Sequence, residues 1–594
     1  MKPLHFALLA GLLSLSIGVG MKSGQLLQNR LAEYRQQDEA VALQQPNSRL
    51  YIPFNNDTLS GNYLAAHFAQ TQYDWQAATT FLDKVLASGD PDSQLIRRTM
   101  VIAMGSGDTT RAFALANSLL QKEPTNPLGL MFISIKQLQA QEFNEAKETI
   151  NKIPTSENVD FIVPVVRGWL DAATGTLDEG RLKDGSIHLY QAIFIADYIK
   201  RPDIIEYLIE IALKVDQLTV QDLDKLGDFY VHIGKPEKAL PLYEKILSAV
   251  PGEASIITKV NAINTKLPIN NFKGVKTPQD GVAIAMGDMS ETLFQEYSDD
   301  SARVFAQMSI FLNPAMTEPR IVMAEIAARH DRLDDAITFY QGVPAGSEDY
   351  VRAHRRAADL LEDADRTDDA LKELDKIIET HNDAEAMMQA GDIYRRTEDF
   401  KKALAYYDRA AATFGETIPP QYWTLYYVRG MAYERLKQWD KAEADLKAAL
   451  AFQPENPLVL NYLGYAWADQ GVNLDESLAM IRKAVSLSPD DGYITDSLGW
   501  VLYRRGNFQE AVPHLERAVE LLPYDSTIND HLGDAYWRVG RKLEARFQWE
   551  RAKANAEDPE LLAEIQKKLA EGLSDKGDVR EARTQASDDT PVKQ

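Results

Sequence analysis

The 594-residue chain contains no cysteine. That excludes disulfides, thiolate nucleophiles, cysteine-ligated zinc and lipid attachment at a lipobox cysteine. Histidine is scarce. The nine histidines are scattered, and no two stand four apart around the glutamate that a zinc hydrolase uses. Positive charge is in deficit, with 64 Lys and Arg against 88 Asp and Glu, a net charge of −24 and a pI near 4.9. An acidic surface argues against general nucleic-acid binding, which needs a basic face to displace counterions, and against attachment to anionic lipid. It reads instead as solubility. No Gly-x-Ser-x-Gly occurs. Gly175 to Gly180 has phosphate-loop spacing but continues with Arg181-Leu182 where Lys-Ser/Thr is required. Asp334-Asp335 and Asp368-Asp369 stand just before small residues, as acids at helix starts do. No catalytic, metal or cofactor constellation emerges, so the chain reads as a non-enzyme.

What is present is a period. Gly430, Gly464, Gly499 and Gly533 are 34, 35 and 34 residues apart. Each is followed about twelve residues later by a second small residue: Ala442, Ser477, Ala511 and Ala545. Pro454, Pro489 and Pro523 then close three of the units. Only small side chains let two helix backbones cross closely, and proline cannot continue a helix. Alanines at the second crossing recur upstream at Ala302, Ala336, Ala370 and Ala403, and at Ala78, Ala112 and Ala146. Ala239 belongs to a unit with Gly227, Tyr230, Tyr243 and Pro251. Trp75, Phe143, Phe400, Trp439 and Phe508 stand three before the small residue. This is the pattern of a tetratricopeptide repeat (TPR), two antiparallel helices per unit. It predicts an all-α TPR solenoid, a right-handed superhelix of about twelve units, each burying its apolar face only against its neighbours.

The expected organisation runs as follows. Residues 1–20 (Lys2, His5, the apolar run from Phe6 to Gly20, and the small-x-small site Gly18-Val19-Gly20) read as a signal peptide or anchor. That run is shorter than the roughly 20 residues of a full span. A Gln-rich polar spacer follows at 21–58, with a helix from Leu26 to Leu43. Residues 59–264 form an N-terminal TPR-like solenoid with irregular helices at 154–219 and a loop from Gly175 to Ser186. The aperiodic stretch 265–282, rich in Pro, Gly and Asn, is read as a joint between two halves. Central and C-terminal TPR blocks occupy 283–417 and 423–559. A capping helix at 560–573 and a disordered charged tail at 574–594 complete the chain.

The concave face is the one functional surface the repeat predicts. Its inward positions are Asn461, Tyr465 and Asp469; then Tyr493, Asp496, Trp500, Tyr503 and Arg504; then Asp530, Asp534, Trp537 and Arg538. Aromatics mixed with charges suit a groove for an extended peptide. Tyr465, Trp500 and Trp537 fit equally well as packing between adjacent first helices. Asp496, Asp530 and Arg504 are expected to be exposed. The groove lacks the paired lysines of a carboxylate clamp.

The segments LGY (463–465), DSLGWVLYRRG (496–506) and HLGDAYWRVGRKLEARFQWERA (531–552) closely resemble a family of proteobacterial envelope TPR proteins. GVAIAMGDMSETLFQEY (281–297), VFAQMSIFLNP (304–314) and ITFYQGVP (337–344) are similar to the same family. One branch is a TPR lipoprotein that works as adaptor of a periplasmic carboxyl-terminal processing protease. This chain departs from that branch in having no lipobox cysteine. The resemblance implies an exported scaffold or adaptor, periplasmic or inner-membrane anchored, whose partners are an envelope protease and its substrates. The alternative is a TPR assembly factor for outer-membrane or polysaccharide export machinery. Neither reading includes a nucleic acid or small-molecule ligand.

Overall fold

The computed structural model describes residues 58–89, 91–154, 161–214, 218–250, 253–267 and 274–574. The expected signal segment, the Leu26–Leu43 helix and all but the first residue of the tail lie outside them. All regular structure among the described residues is helical. The chain divides into two compact units, Met1–Arg366 and Thr367–Gln594. Twelve helical hairpins lie wholly within one unit or the other, from Leu59–Thr71 with Trp75–Leu86 to Ser526–Arg538 with Lys542–Asn555. The chain is a TPR-type solenoid within each unit.

Local chemistry accounts for each hairpin. Many first helices open on an Asp or Asn whose side chain accepts a bond from a free backbone N–H; Asp491 accepts from Tyr493 and Ile494, and Asp525 from Ile528. The turn then passes through one left-handed residue, at Tyr73, Gly107, Gln141 and Gly175 in the first unit and at Gly506 and Gly540 in the second. Beyond it the next N–H reaches back five residues, as Asn507 N does to Leu502 O at 2.9 Å. Second helices start on the predicted aromatics Trp75, Phe143, Phe400, Trp439 and Phe508. Asp334-Asp335 and Asp368-Asp369 fall in the first turns of their helices. Helices end at Phe452, Leu487 and Leu521, two residues before Pro454, Pro489 and Pro523.

At the crossings the small residues are under pressure. A Cβ on Gly499 would enter the Leu515 side chain. In three units the second helix supplies an aromatic sixteen residues on: Tyr243 under Gly227, Tyr407 under Gly391 and Trp549 under Gly533. Each polar tip then donates to the acid beside the glycine: Tyr243 to Asp228, Tyr407 to Asp392 and Trp549 to Asp534. The aromatic needs the glycine for space and the acid to satisfy its buried donor.

The N-terminal unit departs from the expected organisation. The stretch 265–282 does not separate two bodies, because helices on either side of it pack together. The helix Pro278–Gln295 lies on Ile162–Ala173, and Asp299–Leu312 lies on Ser93–Gly105 and Pro127–Gln139. Gly281 sits against the Trp169 ring, leaving no room for a Cβ. The buried Arg303 guanidinium donates to Gly105 O at 2.7 Å. This hairpin, 278–312, occupies the inner face of the preceding repeats, and the division between units falls instead at Arg366. The irregular region also holds more order than expected. It contains a hairpin, Leu189–Tyr198 with Pro202–Ala212, and the loop from Gly175 to Ser186 includes a helical turn at Gly180–Lys183. Arg181 and Lys147 both pair with Asp171 there, at 2.7 and 2.8 Å.

Candidate functional site: the inner face of the C-terminal unit

At the turns marked by Gly107, Gln141 and Gly175 in the N-terminal unit, the residue six earlier is Val101, Ile135 and Trp169, all buried. In the C-terminal unit it is Tyr465, Trp500 and Asp534, ahead of Gly471, Gly506 and Gly540. The first series is apolar and packs against the chain's own hairpin. The second is polar or aromatic and opens on a cavity of about 580 Å³.

Seven of the twelve predicted residues line that cavity: Tyr465, Asp469, Trp500, Tyr503, Arg504, Asp530 and Asp534. The far wall is the helix Pro559–Glu571, through Leu561, Glu564, Lys567 and Lys568, and the chain leaving it at Leu573. A second cavity of about 560 Å³ adjoins, sharing Tyr465 and Asp469 and lined by Arg395, Arg435, Glu434 and Tyr462. Asn461, Tyr493, Asp496, Trp537 and Arg538 line neither one. Tyr493 is 59% exposed at the start of its helix.

The expected exposure of the acids is corrected. Of the three residues expected at the surface, Asp496 and Asp530 are only 6% and 4% exposed and the Arg504 side chain 15%. Asp534 beside them is 4% exposed, because each acid has a partner from the next repeat or the last helix. Lys568 Nζ lies 2.5 Å from Asp530 and 2.9 Å from Asp534. His531 Nδ1 lies 2.9 Å from Asp496. Arg504 reaches Asp469 at 3.4 Å, with its own side chain 15% exposed and that of Asp469 60%. The aromatics share both roles set out above. Trp500 stacks between repeats on His531, with centroids 3.9 Å apart, and on Tyr503 at 5.0 Å, while still lining the cavity. Trp537 is a packing residue, against Trp549 at 5.2 Å and under Lys542 at 3.8 Å.

Burial and the neighbouring Asp530 charge push the Asp534 carboxyl up to about 7, against the pull of Lys568. Burial alone would depress the His531 imidazole, but Asp496, Asp530 and Asp534 together outweigh it and the net shift is upward. Burial likewise opposes the Lys568 charge, and the two aspartates more than restore it. His531 and Lys568 were missed in the sequence. The signal for Lys568 was available: it stands 34 residues after Asp534, in phase with Trp500 and Asp534. The capping helix is therefore a first helix in register, carrying the counter-charge for the last repeat. Among the described residues no cluster of His, Asp and Glu is arranged to hold a metal ion, and no helix is long and apolar enough to cross a membrane.

A tetratricopeptide-repeat family profile matches residues 355–418 and 497–559, and a second matches 423–456. A TPR repeat-containing protein of Pseudomonas aeruginosa is 31% identical over 175 residues, 30% of this chain and 29% of that relative. The chain thus spans less than a third of that relative's length. Among solved structures, a tetratricopeptide repeat protein from Parabacteroides merdae aligns with 43% of this chain and 98% of its own (16% identity, TM-score 0.35). The Cut9–Hcn1 assembly aligns with 87% and 96% (13%, TM-score 0.38). Yeast Tom70 aligns with 86% and 95% (15%, TM-score 0.27). The fold assignment rests on this chain's own helices, and the profile matches identify the repeat: residues 355–418, 423–456 and 497–559 are tetratricopeptide repeats, scaffolds for protein contacts.

Proposed function

We propose that this protein is a non-enzymatic adaptor of the bacterial cell envelope that holds an extended segment of a partner protein on the inner face of its C-terminal unit. The observation that carries the reading is the contrast between the two inner faces. The N-terminal unit fills its own with the 278–312 hairpin, whereas the C-terminal unit leaves open a cavity of about 580 Å³. Aromatic faces at Tyr465 and Trp500 supply contact area, and Asp469, Glu564 and Lys567 on the rim orient the ligand.

The envelope role and the protease partner follow from the sequence resemblance and the N-terminal apolar run. An adaptor that holds a protease at one surface and a substrate at another raises their effective concentration without chemistry of its own. Two measurements test the proposal. Residues 1–50 fused to a reporter active only outside the cytoplasm give activity if the chain is exported; a silent reporter with stable cytosolic protein refutes the location. The purified chain, mixed with a carboxyl-terminal processing protease, accelerates cleavage of its substrates. No association at micromolar concentration, and no accumulation of envelope proteins on gene deletion, moves the reading to the assembly factor. Asp469→Ala with Glu564→Ala weakens partner capture by about 1–2 kcal/mol without loss of helicity.

A further inference from the structure

We infer that the groove of the C-terminal unit has a resident occupant, the chain's own segment 575–594, and that a partner segment binds by displacing it. The inference rests on the groove reading above. After the helix Pro559–Glu571 the backbone turns at Gly572, whose φ of 72° suits glycine, and whose missing Cβ leaves room for the Trp537 ring. The next two carbonyls are held by consecutive side chains of the last repeat. Trp537 Nε1 donates to Leu573 O at 3.2 Å, and Arg538 Nη1 donates to Ser574 O at 2.8 Å. The chain leaving the helix is thus held through two successive carbonyls, by a packing residue and by an arginine that contacts the cavity-lining Tyr503. The last described residues, Leu573 and Ser574, already line the cavity.

Repeat symmetry points the way onward. Tyr503 and Arg504 stand 34 residues before Trp537 and Arg538, at the same two positions, and both line the cavity. Arg538 Nε also contacts the Tyr503 hydroxyl at 3.3 Å, so the two pairs of side chains adjoin. A chain continuing from Ser574 meets Tyr503 and Arg504 next, then Tyr465 and Asp469. Neighbouring helices lie about 8–10 Å apart, so the path from Arg538 to Tyr465 needs roughly six extended residues. Residues 575–594 are ample. Their early part alternates Asp575, Lys576, Asp578, Arg580 and Glu581, a mixed charge that complements the Asp469, Glu564, Arg504 and Lys567 walls. Tethered at Ser574, this segment has an effective concentration in the millimolar range, and a tail of ~100 μM intrinsic affinity then weakens a partner about tenfold.

The test titrates a fluorescently labelled synthetic peptide of residues 575–594 against the full chain and against a chain ending at Ser574. We expect saturable binding to the shortened chain, at least tenfold weaker binding to the full chain, and several-fold loss in the shortened chain carrying Arg504→Ala. Equal binding to both chains, or none to the shortened one with its melting temperature unchanged, overturns the inference. The absence of cysteine permits a check in the full chain. Asp469→Cys combined with Arg580→Cys forms an intramolecular disulfide under mild oxidation if the segment lies in the groove; only reduced or cross-linked dimeric protein counts against it. A peptide that fails to bind while partner capture still depends on Asp469 and Glu564 sinks this inference alone. A peptide that binds while no partner does sinks the adaptor reading instead.

Discussion

At the scale of single residues, the glycines divide by what surrounds them. Gly533 has the Trp549 ring 2.5 Å from where a Cβ would stand, and that ring is fixed by its bond to Asp534. Gly533→Ala therefore costs about 1–3 kcal/mol in denaturant unfolding, as overpacking does. Gly89 has nothing within 4 Å and no left-handed backbone, and Gly89→Ala leaves stability unchanged within about 0.5 kcal/mol. Titration adds a second residue-scale prediction. Asp534 is raised from 3.8 to about 7, and His531 is raised above 6.5. Both hold protons in the folded state that the unfolded chain releases earlier, so their contribution to stability falls as pH rises from about 4 through 7. Asp496, Asp530, Glu564 and Lys568 are the charged groups around them. Asp534→Asn with His531→Gln should flatten the difference in urea stability between pH 5 and pH 8. A steeper fall in the double variant would show the shifts to have the opposite sign.

At the scale of elements, the last helix does more than cover an open end. Lys568 pairs with two buried aspartates of the preceding repeat. Lys568→Met strands them and costs about 3–5 kcal/mol in the unfolding of the full chain, whereas Lys567→Met, on the rim, costs little. The same reasoning changes how the groove is probed. Trp500 and Tyr503 each touch the cavity and stack in its wall, so their double replacement by alanine lowers stability by several kcal/mol and reports on packing as much as on binding. Asp469 and Glu564 are the cleaner probes, with side chains 60% and 64% exposed. The positions of these elements were legible because capping, turn and crossing residues act within a hairpin. The burial of Asp496 and Asp530 was not, since it depends on His531 and Lys568 one repeat further on.

At the scale of whole units, the N-terminal solenoid closes on itself. Arg303 reaches Gly105 across 198 residues, and the Phe113 and Phe311 rings meet at 4.9 Å. Arg303→Ala removes a buried charged hydrogen bond and is expected to cost about 1.5–3 kcal/mol. Tyr73 stacks on His330 at 3.4 Å, and Asp74 pairs with Arg332 at 3.4 Å, so the first hairpin is also fastened to the turn between Glu318–Arg329 and Leu333–Gln341. Limited proteolysis of the Arg303→Ala chain should show faster cleavage between 266 and 277, and an unchanged pattern would mean that the apolar contacts alone hold the 278–312 hairpin in place.

The sequence by itself determined the helical class, the hairpin period and the place of most crossings. Each depends on residues a dozen positions apart, and the repeat states the same requirement many times over. Gly499, Ala511 and Pro523 suffice to write one unit, and their neighbours 34 residues away write the next. Only the tertiary structure decided which inner face is open. Val101, Ile135 and Trp169 occupy the same inward position as Tyr465, Trp500 and Asp534, but what covers them is a hairpin more than a hundred residues further along the chain. A contact of that range has no period to announce it. It is set by how the helices of the N-terminal unit pack, a property of many interfaces together and of no single residue.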